Sequence, residues 1–225
     1  YIVGSLRKWC SIPDGGLLIK ASGNFKDNTF EILRQEENIE FISVRLAAQK
    51  EKRTFLSDVE NCTMDKQMFV SLYDKSEDLL DKQSKYYTMS KYTRKRINSV
   101  DWKMIAYKRR ENYCMLGESL KDIDDIKIIF PYVSDNTVPL YFPVYIDKNK
   151  RNSFRYSMRK NNILLPIIWP VPSFFTNGLL AEVKGIYDEI LAIPCDQRYT
   201  EQDMRFIANN MKQHINGEDI EYEII

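Results

Sequence analysis

A lysine in the stretch SLRKWCSIPDGG, residues 5–16, has neighbours suited to covalent chemistry on carbonyl groups. The neutral amine of a lysine attacks an aldehyde carbon, provided that its ammonium form is disfavoured. Arg7 repels the ammonium form of Lys8, and Trp9 excludes water from it, so both neighbours favour the neutral amine. The pattern predicts that Lys8 is a nucleophile.

Ser5 and the glycine pair Gly15–Gly16 are predicted to complete a binding turn around this amine. A serine hydroxyl donates a hydrogen bond to an anionic oxygen such as that of a phosphate. Glycines have no side chain to clash, so they let a turn pass close to a flat ring. A structural interpretation stays open, in which Arg7 and Lys8 are a solvated basic pair, Trp9 is a core residue and residues 13–16 form an ordinary Pro-Asp-Gly-Gly turn.

The charge balance argues against partners recognised by bulk electrostatics. The 225 residues, enough for a substantial core, include 33 Lys+Arg and 32 Asp+Glu, a net charge of +1. We therefore expect neither nucleic acid nor a membrane surface as a partner. The basic clusters at 93–96 and 108–110 are predicted to be solvated helix faces. A helical nucleic-acid-binding domain is the alternative they would support, and it requires salt-dependent binding.

The four cysteines lie far apart with no C-x-x-C spacing, and His214 is the single histidine. This pattern predicts reduced thiols and no metal site, with His214 near a helix end. No apolar run approaches the roughly 20 residues of a membrane span. We expect a cytoplasmic protein.

Apolar spacing predicts helices in the first half of the chain. A strand over LLIKASG should end in a turn at Gly23. Helical spacing then recurs in two groups of residues and again after Asp101, a predicted cap. The residues predicted to pack are Ile39, Ile42, Leu46, Met64, Met68, Leu72, Trp102, Ile105, Leu116 and Leu120.

The pattern changes to alternating strands and helices after about residue 124. Strands are predicted over 138–146, where Pro143 favours an edge position or a bulge, over 164–169 and over 189–195. A helix over 152–160 should end in a left-handed Asn161 or Asn162. A last helix should start at a capping box, Thr200 with Asp203. Its predicted apolar face is Met204, Ile207, Ala208, Met211 and Ile215.

These elements predict an α/β fold with a small α+β domain at the end of the chain. The expected divisions are 1–60, which carries the lysine turn, a helical linker at 61–123, and a small mixed-sheet domain at 124–225. The opening YIV is typical of the end of a buried strand, so we expect the chain to begin within a domain.

The lysine turn resembles that of the DegT/DnrJ/EryC1/StrS sugar aminotransferases, which depend on pyridoxal 5'-phosphate. In that family the cofactor lysine precedes a Gly-Gly pair by seven residues, as Lys8 precedes Gly15, with Asp14 in the usual acidic position. Three later segments are similar to the C-terminal half of the family, in its order. They are DWKMIAYKRRENYCML, VPLYFPVYI with LLPIIWPVP, and ILAIPCDQRYTEQDMRFI.

The resemblance implies the C-terminal half of a fold-type-I transferase, with the large-domain tail, a helical linker and the small domain. It implies that Lys8 holds pyridoxal phosphate, with Ser5, Gly15 and Gly16 beside it. The family transfers an amino group from glutamate or glutamine to a keto-sugar nucleotide, and works as a homodimer. The complete protein is then an enzyme, whereas residues 1–225 alone should not transaminate, since the resemblance places most other cofactor contacts before the lysine.

The chain departs from the family pattern at three places. Trp9 follows the lysine where asparagine is usual, Ile168 replaces a common histidine, and no Gly-x-Asn-x-Arg segment follows the glycines. The missing segment favours an alternative, a non-catalytic scaffold of the same fold that has lost the cofactor. Asp196 and Arg198 either present a charge to a substrate carboxylate or form a structural ion pair.

Overall fold

The computed structural model of the chain describes residues 1–25, 32–33, 39–57, 65–83, 86–168, 171 and 181–215. Helices and small sheets alternate, which confirms the mixed α/β class. The chain divides into two compact units, Tyr1–Val100 and Asp101–Ile225. The finer division at residues 60 and 123 stays a prediction.

The described residues of the first unit form two short pairs of strands and three α-helices. Its elements are β1 (Ile2–Ser5), β2 (Gly16–Ile19), β3 (Ile32–Leu33), α1 (Ile39–Ser57), α2 (Lys66–Asp81), β4 (Tyr86–Tyr87) and α3 (Lys91–Ile97). Strands β1 and β2 form an antiparallel hairpin, whereas β3 and β4 pair in parallel. Gly23 lies beyond β2 with a φ of +71°, as expected of a turn.

Helices α1 and α2 pack against each other and bury a small apolar cluster. Phe41 and Ile42 of α1 and Phe69 of α2 are buried. Two residues predicted to pack, Ile39 and Met68, are instead more than half exposed. Ile39 is the first residue of α1, and Phe69 takes the inner position beside Met68. Met64 lies outside the described residues.

The hairpin exposes most of its large apolar side chains. They are Tyr1, Ile2, Val3, Leu17, Leu18 and Ile19, each at least 42% exposed. A continuous apolar run is typical of a strand that is buried on both faces.

The second unit is built on a three-stranded sheet flanked by helices. Its elements are α4 (Trp102–Leu120), β5 (Lys127–Ile128), β6 (Phe142–Tyr145), α5 (Arg151–Lys160), α6 (Ala181–Glu189), β7 (Ile190–Ile193) and α7 (Glu201–Ile215). The strand order is β5–β6–β7, and both pairings are antiparallel. Phe142 lies opposite Ile193, and Val144 opposite Leu191.

Helices α4 and α7 pack together and enclose one apolar core with the sheet. Leu116, Phe142 and Met204 are fully buried, and the rings of Tyr113 and Phe142 lie 4.6 Å apart. The predicted inner face of α7 is confirmed, because Ile207 and Met211 belong to the same core as the strands.

Three predicted helix ends are confirmed by their hydrogen bonds and backbone angles. The Asp101 carboxylate accepts from the Met104 amide at 2.9 Å. Thr200 and Asp203 form a reciprocal box: the Thr200 amide donates to the carboxylate at 2.7 Å, and the Asp203 amide donates to the hydroxyl at 3.2 Å. Asn162 has a φ of 58°, the left-handed end predicted after α5.

Two strand predictions need correction. Pro143 lies on β6, the central strand of the described sheet, and not at an edge. The Pro143 carbonyl accepts from the amide of Ile129, the residue after β5, at 3.3 Å. Because proline has no N–H, the hydrogen bond in the opposite direction is missing, at the point where the pairing of β5 with β6 ends. Residues 164–168 form no strand, although the Ala192 amide of β7 donates to the Pro166 carbonyl at 3.1 Å. Trp169 lies outside the described residues.

Candidate functional site

The hairpin β1–β2 brings both ends of the predicted lysine turn together. Ser5 lies directly opposite Gly16 in the strand register. The next pair closes the loop, because the Leu6 amide donates to the Gly15 carbonyl at 3.1 Å. The four predicted site residues therefore lie on one loop, residues 6–15, and on the strand ends that carry it.

Lys8 ends a short 3₁₀ helix, Leu6–Lys8, at the start of that loop. The Leu6 carbonyl accepts from the Trp9 amide at 3.0 Å and from the Cys10 amide at 3.3 Å, which fixes the backbone on both sides of the lysine. The Lys8 and Ser5 side chains are exposed, and Trp9 is half-buried. An aldehyde in solution therefore has access to the Lys8 amine.

Arg7 has a carboxylate partner that the sequence reasoning missed. Its guanidinium lies 3.4 Å from Glu77 of α2, and Glu77 also pairs with Arg45 of α1. Partial burial raises the pKa of Glu77, but hydrogen bonds and attraction from Arg45 and then Arg7 outweigh it, so the pKa lies below its usual value. Arg7 is thus one of two arginines around a single carboxylate.

Asp14 joins the lysine loop to the start of α3. Its carboxylate accepts from the Ser90 amide at 2.6 Å, from the Ser90 hydroxyl at 2.8 Å and from the Thr93 hydroxyl. Ser90 is the N-cap of α3 and accepts from the Thr93 amide at 3.1 Å. The Ser-x-x-Thr start is readable in the sequence as a cap, but its contact with Asp14 is not.

The two glycines after Asp14 have different local environments. Gly15 has a φ of +111°, and a Cβ built on it would lie 3.2 Å from Thr93 Cγ2 and 3.4 Å from Met89 Cε. A Cβ on Gly16 would meet nothing nearer than the Gly4 carbonyl oxygen at 3.9 Å. The bare backbone of Gly15 therefore lies against side chains of its own chain.

Gly15→Ala is expected to lower the free energy of unfolding by about 1–3 kcal/mol, because alanine strains the left-handed backbone and crowds Thr93. Gly16→Ala is the matched control and should cost less than about 0.5 kcal/mol. Urea unfolding of the two variants measures the difference. Equal losses would show that the backbone at Gly15 is not held in this conformation.

A second candidate, the pair Asp196 and Arg198, is a structural ion pair at the entrance of α7. Arg198 Nε and Nη2 donate to the two carboxylate oxygens of Asp196, each at 2.8 Å. Burial raises the pKa of Asp196, but the hydrogen bonds and charge of Arg198 outweigh it, so the pKa is lowered. The carboxylate already holds a bidentate partner, which is the second of the two interpretations drawn from the sequence.

Arg109 corrects the prediction that the basic cluster 108–110 is a solvated face. Its side chain is 3% exposed and donates to the Pro139 carbonyl at 3.0 Å, the Leu140 carbonyl at 3.2 Å and Gln197 Oε1 at 2.8 Å. One turn further along α4, Asn112 donates to the Asp196 carbonyl at 2.9 Å. These side chains fix the loops around the sheet, so we assign them a structural role.

The cysteines, the histidine and the basic cluster of α3 show no second site. Cys10, Cys114 and Cys195 are free, and Cys62 lies outside the described residues. His214 packs its ring 5.4 Å from that of Phe154. Arg94, Lys95 and Arg96 are exposed, as predicted for a solvated face.

Within the residues that the structure describes, neither a metal site nor a membrane-spanning helix is present. There, no three side chains of His, Cys, Asp or Glu are gathered as metal ligands. None of the helices in those ranges combines the length and apolar character needed to cross a membrane.

The exposed side chains of Lys8 and Ser5 have the chemistry needed to bind the aldehyde and the phosphate of pyridoxal phosphate. The Lys8 amine suits the aldehyde, and the exposed Ser5 hydroxyl suits a phosphate oxygen. Gly15 fits less well as a platform for the ring, since its backbone packs on Thr93 and Met89.

No protein-family model and no curated protein matches the sequence. Several solved structures match part of it. The aminotransferase TlmJ of Streptoalloteichus hindustanus is 13% identical with a TM-score of 0.45, and the match covers 50% of this chain and 32% of that one. PseC of Helicobacter pylori, an aminotransferase of pseudoaminic acid biosynthesis, is 15% identical with a TM-score of 0.45, over 51% of this chain and 34% of its own.

A DegT DnrJ EryC1 StrS aminotransferase of Brucella abortus is 15% identical with a TM-score of 0.41, over 49% of this chain and 31% of that one. In each case the match spans about a third of the length of the aminotransferase. Each of these three solved structures is described as an aminotransferase.

Proposed function

We propose that this chain is the C-terminal part of an aminotransferase that uses pyridoxal phosphate, and that Lys8 holds the cofactor. The observation that carries the proposal is the exposed Lys8 amine on a loop closed by the Ser5–Gly16 pair and the Leu6–Gly15 hydrogen bond. Lys8 follows Ser5 by three residues, so this closed loop carries both side chains at the same end of the hairpin. This geometry suits a group that carries an aldehyde and a phosphate.

The proposed substrates are a keto-sugar nucleotide and an amino-acid donor, glutamate or glutamine, as the sequence resemblance implies. When bound, pyridoxal phosphate withdraws electrons from the substrate carbon whose proton is removed. Lys8 has two roles in the proposal. It attaches the cofactor covalently, and after release it carries a proton between the substrate carbon and the cofactor carbon.

The complete site is proposed to form in a homodimer. The resemblance assigns the ring-stacking aromatic, the carboxylate at the ring nitrogen and most phosphate donors to the part of the family's chain that precedes the cofactor lysine. Without a carboxylate at that nitrogen the ring withdraws electrons poorly. The exposed apolar side chains of β1 and β2 support a protein–protein contact at the hairpin.

The test is to titrate the protein with pyridoxal phosphate and to follow the absorbance of the pyridoxal chromophore, which shifts when the aldehyde becomes an imine. The Lys8 nitrogen should add to the aldehyde carbon with release of water, which changes the spectrum in a saturable way. Pyridoxamine phosphate, which has no aldehyde, is the control and should give no such change. A spectrum that does not change with pyridoxal phosphate would contradict the proposal and favour a scaffold without cofactor.

A further inference from the structure

We propose that Asp14, Ser90 and Thr93 are positioning residues for Lys8, a role that rests on the proposed function. The three side chains form a hydrogen-bonded cluster, here called the α3 anchor, at the glycine end of the lysine loop. The α3 anchor fixes Gly15, and through Gly15 it fixes the backbone turn that presents the Lys8 amine.

The α3 anchor is strong because its bonds are charge-assisted and its partners are buried. Ser90 is 1% exposed and Thr93 is fully buried. Each of the three donors reaches an ionised carboxylate, and such bonds are roughly twice as strong as neutral ones. Removing the carboxylate would also leave the buried hydroxyl groups without this acceptor, which adds to the loss.

A short chain of backbone contacts connects the α3 anchor to Lys8. Gly15 follows Asp14 directly, and its carbonyl accepts from the Leu6 amide at 3.1 Å. The Leu6 carbonyl in turn accepts from the Trp9 and Cys10 amides, which enclose Lys8 in the 3₁₀ turn. A displacement of Asp14 therefore moves the Gly15 carbonyl, which holds Leu6 at the start of this turn.

The ion pair between Arg7 and Glu77 holds the lysine loop less strongly than the α3 anchor does. Arg7 lies 3.4 Å from Glu77, whose side chain is 48% exposed. Exposed ion pairs contribute little because solvent screens them. We therefore assign the positioning of Lys8 to the α3 anchor and not to Glu77.

Hydrogen exchange of the loop amides tests the α3 anchor without any cofactor. Asp14→Asn should speed the exchange of the Leu6, Trp9 and Cys10 amides by at least about tenfold. Asp65→Asn is the matched control: it alters a carboxylate that caps α2 by accepting from the Gln67 amide at 2.9 Å, and it should leave the loop unchanged. Unchanged exchange in Asp14→Asn would overturn the proposal.

Labelling of Lys8 tests the positioning role. After incubation with pyridoxal phosphate and borohydride reduction, the share of label on Lys8 relative to other lysines should fall by at least about fivefold in Asp14→Asn. Thr93→Val should reduce it in the same direction, while Thr93→Ser, which keeps the hydroxyl, should restore it. This pair also serves if Asp14→Asn does not fold.

The outcomes separate this inference from the proposed function. Faster exchange with an unchanged share of label on Lys8 would overturn the positioning role and leave the proposed function standing. Absence of label on Lys8 in the wild-type chain would overturn both. Loss of the Lys8 label in Thr93→Ser as well as in Thr93→Val would show that the hydroxyl is not what matters, and would also overturn the positioning role.

Discussion

Lys8→Ala should reduce the borohydride-stable pyridoxyl label on the chain by at least about tenfold at limiting pyridoxal phosphate, because Lys8 is the proposed preferred amine and the other lysines react only as a background. Lys8→Arg should lose the label as fully, since an arginine keeps its proton and does not add to aldehydes. Both variants should keep the wild-type melting temperature, because the Lys8 side chain is exposed. The label is quantified by mass spectrometry of the intact reduced protein.

The control for this experiment is Lys20→Ala in the same unit. Lys20 lies one residue after β2, and its amine donates to the Asn24 carbonyl. It is a lysine of the same unit that lies outside the loop 6–15, so its loss should leave the label unchanged. A full label in Lys8→Ala, or its loss in Lys20→Ala, would contradict the proposed function.

Ile207→Asp should destabilise the second unit by at least about 3 kcal/mol, since it places a carboxylate in an apolar core with no partner. Ile207 is 5% exposed on the inner face of α7. The matched control is the neighbouring Phe206→Asp, because Phe206 is 50% exposed and should cost less than about 1 kcal/mol. Thermal unfolding of both variants, followed by circular dichroism, gives the comparison.

A small and equal effect of the two substitutions would show that the inner face of α7 is exposed in solution. Loss of stability in Phe206→Asp alone would place the buried face on the opposite side of the helix. Either result would contradict the core described for the second unit.

Local signals predicted the helices and their ends well. The Thr200–Asp203 box and the Asp101 cap depend on residues three apart, so their hydrogen bonds follow from chain geometry alone. The inner face of α7 follows from a period of 3.6 residues. Such features depend on the local sequence and not on contacts with distant residues.

Features set by distant contacts were not predictable. Arg109 looks like one of three solvated basic residues, and only the fold brings Pro139 and Gln197 to its guanidinium. The apolar run at 164–168 has the composition of a strand, yet Pro166 has no amide to donate to one. Pro143 occurs in a central strand because the pairing with β5 ends beside it.

In the candidate site too, local features were predictable from the sequence and distant contacts were not. The sequence groups Lys8 with Ser5 and the glycines because all of them lie within residues 5–16, and the structure joins the two ends of this stretch in a hairpin. Asp14 and Ser90 are 76 positions apart, so no local pattern pairs them. The sequence therefore predicted which residues share the loop, and it left open what holds the loop in place.

The most direct test of the central claim is the position of the pyridoxyl group in the wild-type chain. The protein is incubated with limiting pyridoxal phosphate, reduced with borohydride, digested and mapped by tandem mass spectrometry. We expect the label on Lys8, within the peptide that contains Trp9 and Cys10. A label spread evenly over the exposed lysines, or concentrated on Lys20 or Lys91, would contradict it.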